Sequence, residues 1–207
     1  MKYFSKINRG AILTALIIIA VICYLITNSV MQNREKPEIK QICETYLQKE
    51  ISYNMLPLEY RVDKPAMIET VLNDYLALMK KDIIEFYPQN EQYYKFVIQT
   101  LTNDLTNQAK GTRVVFQYEK KIIRYDSILF DKDTVNVQFT SSTTMEAKDI
   151  NNIGSTAKDK ITQETQDNII LQKIGGKWKV IFASISRPMS NNYPGKVGYG
   201  TLVNEKY

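Results

Sequence analysis

The sequence has 207 residues, enough for one folded domain beside a membrane segment, and its apolar fraction of 44% excludes a disordered chain. Three of the 27 basic residues, Lys2, Lys6 and Arg9, precede an uncharged run, so 24 bases face 22 acids in the remainder, about +2 in net charge. Such a balance lacks the basic stripe of nucleic-acid-binding domains, and no direct nucleic-acid contact is expected. Histidine is absent, which removes the usual general base near neutral pH and the commonest metal ligand.

An apolar run near the N-terminus has the length of a membrane span. No charged residue lies between Arg9 and Arg34, and residues 11–31 form the densest part of this run. At about 1.5 Å per residue these positions span about 31 Å, which matches a hydrocarbon core of about 30 Å. We therefore predict a cytoplasmic tail at residues 1–10 and a transmembrane helix at residues 11–31.

The flanking charges predict the orientation of this helix. Its N-terminal flank carries Lys2, Lys6 and Arg9 and no acid, whereas residues 34–40 on the other side mix both signs. The positive-inside rule then leaves the N-terminus in the cytoplasm and the following domain outside it. A cleaved signal peptide is the main alternative, but its apolar region usually has about 7–15 residues. A lipoprotein anchored at Cys23 is disfavoured because isoleucine, not a small residue, precedes the cysteine.

Three helical patterns follow a short linker at residues 32–37, which implies a domain close to the membrane. The first covers about 37–52, the second begins near Pro65 with Asp63 as its expected N-cap, and the third covers about 91–109. Their apolar residues recur at the spacing of helices packed on a core. These are Ile39, Ile42, Tyr46 and Leu47; Ile68, Val71, Leu72, Tyr75, Leu76 and Met79; and Tyr94, Val97, Ile98, Leu101 and Leu105.

After residue 111 the apolar period changes to two, which is typical of strands with one face on a core. Turn signals separate these strands at residues 131–133, at residues 149–155 and at the pair Gly175-Gly176, which is typical of a two-residue hairpin turn. The alternating positions are Val114, Phe116 and Tyr118; Val135, Val137 and Phe139; Ile169 and Leu171; and Trp178, Val180 and Phe182.

The last strand also carries apolar residues at Ile181, Ala183 and Ile185, on what simple alternation makes its second face. A strand that is apolar on both faces is usually central and covered on both sides. Because the helices cover only one face, we expect the tail or another subunit to cover the other. These three residues are therefore the candidate interface. The remaining residues, 188–207, are rich in Gly, Pro, Asn and Tyr and are expected to form an irregular tail.

Helices followed by a strand meander predict an α+β domain over residues 38–187, with three helices on a curved antiparallel sheet of about four strands. The segments 130–139 and 170–186 resemble the middle and closing hairpins of the nuclear-transport-factor-2-like superfamily. With its N-terminal single-pass anchor, the chain resembles the assembly-scaffold subunit of type IV secretion and conjugation systems, the eighth VirB component. The rich use of Ile, Asn and Lys suggests an AT-rich genome and favours a Gram-positive apparatus.

This resemblance implies a non-enzymatic scaffold that binds copies of itself and other channel subunits. No catalytic, cofactor-binding or metal site is predicted. The glycines at 195–200 lack the strand–turn–helix context of a phosphate-binding loop, and Cys43 has no histidine to activate it. Asp131 and Asp133 belong to a turn and lack further oxygen ligands. Two alternatives remain open: an anchored ligand-binding or sensory domain, and a scaffold of another envelope assembly such as that of sporulation.

Overall fold

The structure, a computed structural model, confirms the predicted α+β class and the order of helices before strands. It describes residues 9–57, 60, 65–110, 113–149 and 159–187. Its elements are α1 (Arg9–Ser52), α2 (Pro65–Ile84), α3 (Glu91–Ala109), β1 (Arg113–Asp131), β2 (Thr134–Asp149), β3 (Asp159–Ile174) and β4 (Lys177–Ser184). The chain divides into two compact units, residues 1–41 and 42–207.

The described part of the first unit belongs to α1. Every described side chain from Ile12 to Met31 is exposed, and this apolar stretch is long enough to cross a membrane. The hydroxyl groups of Thr14 and Thr27 donate hydrogen bonds to the carbonyl groups four residues earlier, at 3.0 and 2.8 Å, so these polar atoms have partners within the helix.

The predicted linker at residues 32–37 is helical, which corrects the sequence-based expectation. α1 continues through it to Ser52, with Pro37 inside the helix. A proline lacks the backbone N–H that would bond four residues back, so it weakens a helix locally and is a common place for one to end. Here the helical pattern on both sides of Pro37 outweighs that local signal.

The helices of the second unit begin and end close to the predicted residues. α2 starts at Pro65, whose fixed φ suits a first turn. α3 follows the N-cap Asn90, whose side chain accepts a hydrogen bond from the backbone N–H of Gln92 at 3.0 Å. Most of the predicted apolar positions of the three helices are buried: Ile39, Tyr46, Leu47, Leu72, Tyr75, Leu76, Met79, Leu101 and Leu105.

The described strands form one antiparallel sheet in the order β1-β2-β3-β4, each strand next to its neighbour in the chain. The turn after β3 has positive φ at Gly175 (58°) and Gly176 (79°), as the predicted two-residue hairpin requires. α3 packs against both β1 and β4, the outer strands of the sheet, so the sheet curves around this helix. We call the face toward the helices the inner face and the opposite one the outer face.

Most predicted core positions of the sheet lie on its inner face. Val135, Val137 and Phe139 of β2 are fully buried, as are Ile169 and Leu171 of β3. On β4, Trp178 and Val180 are buried, with the Trp178 ring edge-on to Phe130. Long-range pairing thus places these alternating residues in one apolar layer, as the period of two predicts.

Two expectations about the outer strands are wrong. β4 pairs only with β3 among the described strands, so it is an edge strand and not a central one. A bulge near Val115 places Val115 in a buried position opposite Ala147 and leaves Phe116 exposed, contrary to the simple alternation predicted for β1. A bulge adds one unpaired residue to a strand, which changes the face of every residue beyond it.

Some predicted features lie outside the described residues. They are Lys2, Lys6, Asp63, Gly111, most of the turn at 149–155 and the tail at 188–207; of Arg9, Ile68, Val71 and Val114 only the backbone is described.

Candidate functional site

An apolar row crosses the outer face of the sheet. The strand register places Leu129 of β1 beside Asn136 of β2, Asn136 beside Ile170 of β3, and Ile170 beside Phe182 of β4. Leu129 is 61% exposed, and Ile170 and Phe182 are partly exposed. Asn136 separates Leu129 from Ile170 and Phe182, which are direct cross-strand neighbours; we call these four positions the apolar row.

A row of polar residues with a charge at each end lies next to the apolar row, toward the hairpin turns. Its members in strand order are Asp131, Thr134, Gln172 and Lys179. Lys177, opposite Ile174, adds a second base at the β4 end. The outer face therefore carries an acid at the β1 edge and two lysines at the β4 edge, with the apolar row alongside.

The β4 edge is partly covered by the connection between α2 and α3. The backbone N–H of Val180 donates to the Phe86 carbonyl at 2.9 Å, and Lys179 Nζ donates to the Glu85 carbonyl at 2.7 Å. An edge strand with free backbone groups invites pairing with another strand. These two contacts block such pairing in the middle of β4 and leave the outer face as its accessible surface.

The structure places the predicted interface residues on other faces of the sheet than the sequence predicted. Ile181 is the extra residue of a bulge, because Leu171 pairs with Val180 and Ile170 with Phe182. Beyond the bulge Ala183 pairs with Ile169 on the inner face, so Phe182 and not Ala183 belongs to the outer face. Ile185 follows the end of β4, and all three predicted residues are partly exposed. The assignment of faces was wrong, whereas a role in an interface remains a prediction.

A buried ion pair lies on the inner face, where no site was predicted. Lys120 Nζ lies 2.7 Å from Asp167 Oδ2, and both side chains are fully buried. Lys120 also donates to Thr165 Oγ1 at 3.1 Å and to the Ser186 carbonyl at 2.7 Å, so its three ammonium hydrogens have partners. Asp167 accepts from the Ser141 hydroxyl and, at 2.7 Å, from the Ser186 backbone N–H. Burial lowers the pKa of Lys120, and the Asp167 carboxylate opposes that shift.

A second ionic group continues this network toward the helices. Arg187 donates to Glu50 of α1 at 2.9 Å and to Asp104 of α3 at 3.1 Å. Burial disfavours its charged form, but the two carboxylates outweigh burial and raise the pKa of Arg187. Together with the Lys120–Asp167 pair, these contacts attach Ser186 and Arg187 to both helices and to the sheet.

The sequence held one signal for this network. Lys120 stands two residues after Tyr118, and Asp167 two residues before Ile169, so both charges occupy positions that face the core by alternation. Charged residues are almost never fully buried unless they are paired. The pattern therefore indicates a buried pair, although it does not show which lysine meets which aspartate.

Cys43 is buried. Burial, with a further effect of Glu44, raises the pKa of its thiol from 9.0 to about 12. The reactive form of cysteine is the thiolate, and burial of Cys43 disfavours that form at neutral pH.

Comparisons with known proteins give only structural likenesses. No family model matches the chain, and no curated protein matches its sequence. The chain is similar to the intermembrane space region of the chloroplast protein ARC6, at 14% identity and a TM-score of 0.33 over 59% of this chain and 97% of that one. It is also similar to the association domain of C. elegans CaMKII, at 10% identity and a TM-score of 0.32 over 57% and 88%. A third similar structure is a putative calcium/calmodulin dependent protein kinase II association domain from Xanthomonas campestris. It shares 14% identity with this chain at a TM-score of 0.31, over 57% of this chain and 81% of that one. Likeness at this level concerns the fold of part of the chain and assigns it no function.

Proposed function

We propose that the chain is a non-enzymatic, membrane-anchored scaffold subunit of a type IV secretion channel for conjugative DNA transfer, in a Gram-positive cell. The observation that carries the proposal is the apolar stretch of α1 from Ile12 to Met31, in which every described side chain is exposed. Exposed apolar surface of this length is costly in water and favourable in lipid. In this proposal residues 11–31 anchor the chain. The basic residues Lys2, Lys6 and Arg9 favour an N-terminus in the cytoplasm and a domain outside it.

The chemistry of the described residues supports a scaffold more than an enzyme. The buried charges of Lys120, Asp167 and Arg187 are used in ion pairs with one another and with Glu50 and Asp104. A general acid or base must reach a substrate proton, and groups committed to such a network are poorly placed for that. The partly apolar outer face instead supports binding to copies of the chain and to other channel subunits.

Crosslinking in the native cell tests the assignment to a secretion channel. Full-length tagged chain is crosslinked in membranes, isolated and analysed for bound proteins. We expect the transfer ATPase or coupling protein of a conjugation system among them, encoded beside this chain. A matched control keeps the anchor but lacks residues 42–207. Recovery of sporulation or cell-wall proteins in place of transfer proteins would assign the scaffold to another machine.

A reporter fusion tests the orientation. An enzyme that is active only in the cytoplasm should be silent when it is fused after residue 207 and active when it is fused before residue 1. The reason is the cluster of Lys2, Lys6 and Arg9 on the N-terminal flank. Strong activity of the C-terminal fusion would contradict the proposed topology.

A second candidate, an anchored ligand-binding domain, has one observation in its favour. Glu50 Oε2 and Thr143 Oγ1 are buried and have no hydrogen-bond partner in the described part of the chain. A ligand or a buried water with N–H or O–H donors would satisfy either of these atoms. Native mass spectrometry of the chain purified in detergent tests for a ligand. A retained ligand adds its own mass to that of the protein, as the ligand-binding function requires and the scaffold function does not.

A further inference from the structure

Two hairpin turns lie side by side at one end of the sheet. The backbone N–H of Lys173 donates to the Asp133 carbonyl at 2.7 Å, which joins the turn between β1 and β2 to the turn between β3 and β4. We call residues 131–133 and 173–179 the hairpin tip. It contains four lysines and two aspartates, so bases exceed acids by two: Lys132, Lys173, Lys177, Lys179, Asp131 and Asp133.

An exposed apolar side chain lies among these bases. Ile174, the last residue before the two-glycine turn, is 42% exposed, and Lys132 and Lys177 in the turns are exposed as well. A lysine side chain is longer than that of an aspartate, so its ammonium group extends beyond the neighbouring carboxylates. Basic residues around an exposed apolar one are typical of surfaces that bind membranes carrying negative charge.

The other two lysines of the hairpin tip contact the protein itself. Lys173 Nζ lies 5.3 Å from the centroid of the Trp178 ring, and Lys179 Nζ donates to the Glu85 carbonyl at 2.7 Å. Their substitution would disturb the fold as well as the charge. Lys132 and Lys177 are therefore the residues with which the charge of the hairpin tip is best tested.

The chain enters the second unit at the same end as the hairpin tip. The ring of Tyr46 in α1 packs against that of Phe86 at 5.5 Å, and the Phe86 carbonyl accepts from the N–H of Val180, which directly follows the hairpin tip. Leu56, beyond the end of α1, donates its N–H to Gln108 at the end of α3. β1 begins a few residues later, at the end of the sheet opposite the hairpin tip. Within the second unit α1 thus starts near the hairpin tip and runs away from it.

We propose that the hairpin tip binds the anionic phospholipid headgroups of the membrane in which the chain is anchored. The proposal rests on the proposed anchor and adds to it a membrane contact made by the folded domain. Only residues 32–41 separate the apolar stretch from the second unit, about 15 Å of helix. The membrane surface is therefore within reach of the end at which the chain enters. Ile174 lies among the headgroups in this contact, and the lysine ammonium groups meet lipid phosphates.

The charges give this contact a definite dependence on salt. The attraction of a lysine to an anionic membrane surface falls off within a Debye length. That length decreases from about 10 Å at 0.1 M salt to about 3 Å at 1 M. The contact should therefore be lost at about 1 M salt, whereas an anchor held by apolar residues stays in the membrane.

Fluorescence quenching of the full-length chain in lipid vesicles tests the contact. Ile174→Cys in a Cys23→Ser background carries a fluorophore that nitroxide-bearing lipids quench, while Cys43 is buried. The vesicles consist of phosphatidylcholine alone or mixed with anionic phosphatidylglycerol. We expect strong quenching in the mixed vesicles at low salt, and little in neutral vesicles or at about 1 M salt. Glu119→Cys, exposed on β1 far from the hairpin tip, carries the same label as a control and should not be quenched.

Charge variants test the recognition of the headgroups. Lys132→Asn combined with Lys177→Gln should reduce the equilibrium constant of the contact about thirtyfold. Asparagine suits the positive φ of position 132, which is 50°. Lys121→Gln combined with Lys160→Gln removes two exposed lysines far from the hairpin tip and should leave the quenching unchanged. The emission of Trp178 in the unlabelled variants shows whether each is folded.

Each other outcome overturns a definite part of the proposal. If the chain stays with the vesicles at about 1 M salt but the label at position 174 is never quenched, the contact is wrong while the anchor stands. Equal quenching in neutral vesicles, or in the variant that lacks Lys132 and Lys177, refutes recognition of anionic headgroups. Equal quenching at positions 119 and 174 shows that the domain lies on the membrane without using its hairpin tip. Release of the chain from the vesicles at high salt refutes the anchor itself.

Discussion

Replacing Lys120 by methionine keeps the shape of the side chain and removes its charge. The change leaves Asp167 buried, with the Ser141 hydroxyl and the Ser186 N–H as its remaining donors. Breaking a buried pair by removing one partner typically costs about 3–5 kcal/mol, because a buried charge is left uncompensated. For a domain of this size, about 2–4 °C is lost per kcal/mol, so the melting temperature should fall by roughly 10 °C.

The assay is a guanidinium titration of the full-length chain in mild detergent. Trp178 is the only tryptophan and is buried, so its emission follows unfolding of the sheet. Lys49→Met is the matched control, because Lys49 forms an ion pair of similar length with Asp82 (2.8 Å) but is 48% exposed. Exposed pairs contribute about 0–1 kcal/mol, so this variant should unfold nearly like the original chain.

A double variant completes the test. Lys120→Met with Asp167→Leu removes both charges. The double variant should lose about 2–3 kcal/mol less free energy of unfolding than the two single variants lose in sum. If Lys120→Met costs no more than Lys49→Met, or if the two single costs simply add, the Lys120–Asp167 pair does not stabilise the fold as a unit.

Three further predictions follow from single side chains. Trp178→Ala removes a buried ring packed against Phe130 and should cost about 3–5 kcal/mol in a denaturant titration followed by circular dichroism; an unchanged midpoint would show that the core is misplaced. Cys43 should resist maleimide at pH 7 in the folded chain and react after unfolding, because burial raises the pKa of its thiol to about 12; rapid labelling of folded protein would contradict its burial. Hydrogen bonds from Lys49 and Tyr53 hold the pKa of Asp82 in the folded chain below its usual 3.8. Their contribution to the free energy of unfolding is therefore complete above pH 3.8 and is lost as the pH falls through the lower pKa of the folded chain. Between pH 5 and 3 Asp82→Asn should therefore lose less stability than the original chain, and equal losses would refute this.

Local physical signals predicted much of the fold from the sequence. Gly175 and Gly176 tolerate the positive φ of a tight hairpin, and Val135, Val137 and Phe139 fit only one face of a half-buried strand. These features depend on residues within a few positions of one another. The same holds for the helices, whose bounds beyond residue 37 agree closely with the observed ones.

The errors arose where one residue or one distant partner decides the outcome. The bulge at Ile181 has no local signature, yet it moves Phe182 to the outer face and Ala183 to the inner face. The edge position of β4 depends on which strands pair, and strand pairing is a long-range property. The contact of Lys120 with Asp167 is likewise long-range, and it was not predicted.

As a proposed anchored scaffold of a conjugation channel, this chain should be required for DNA transfer between cells. The most direct measurement deletes its gene in the native host and counts recipients that acquire the conjugative element. We expect transfer to fall by orders of magnitude and to return when the full-length chain is supplied, but not when residues 1–31 are missing. Normal transfer by the deletion strain, with the chain absent from its membranes, would contradict the account.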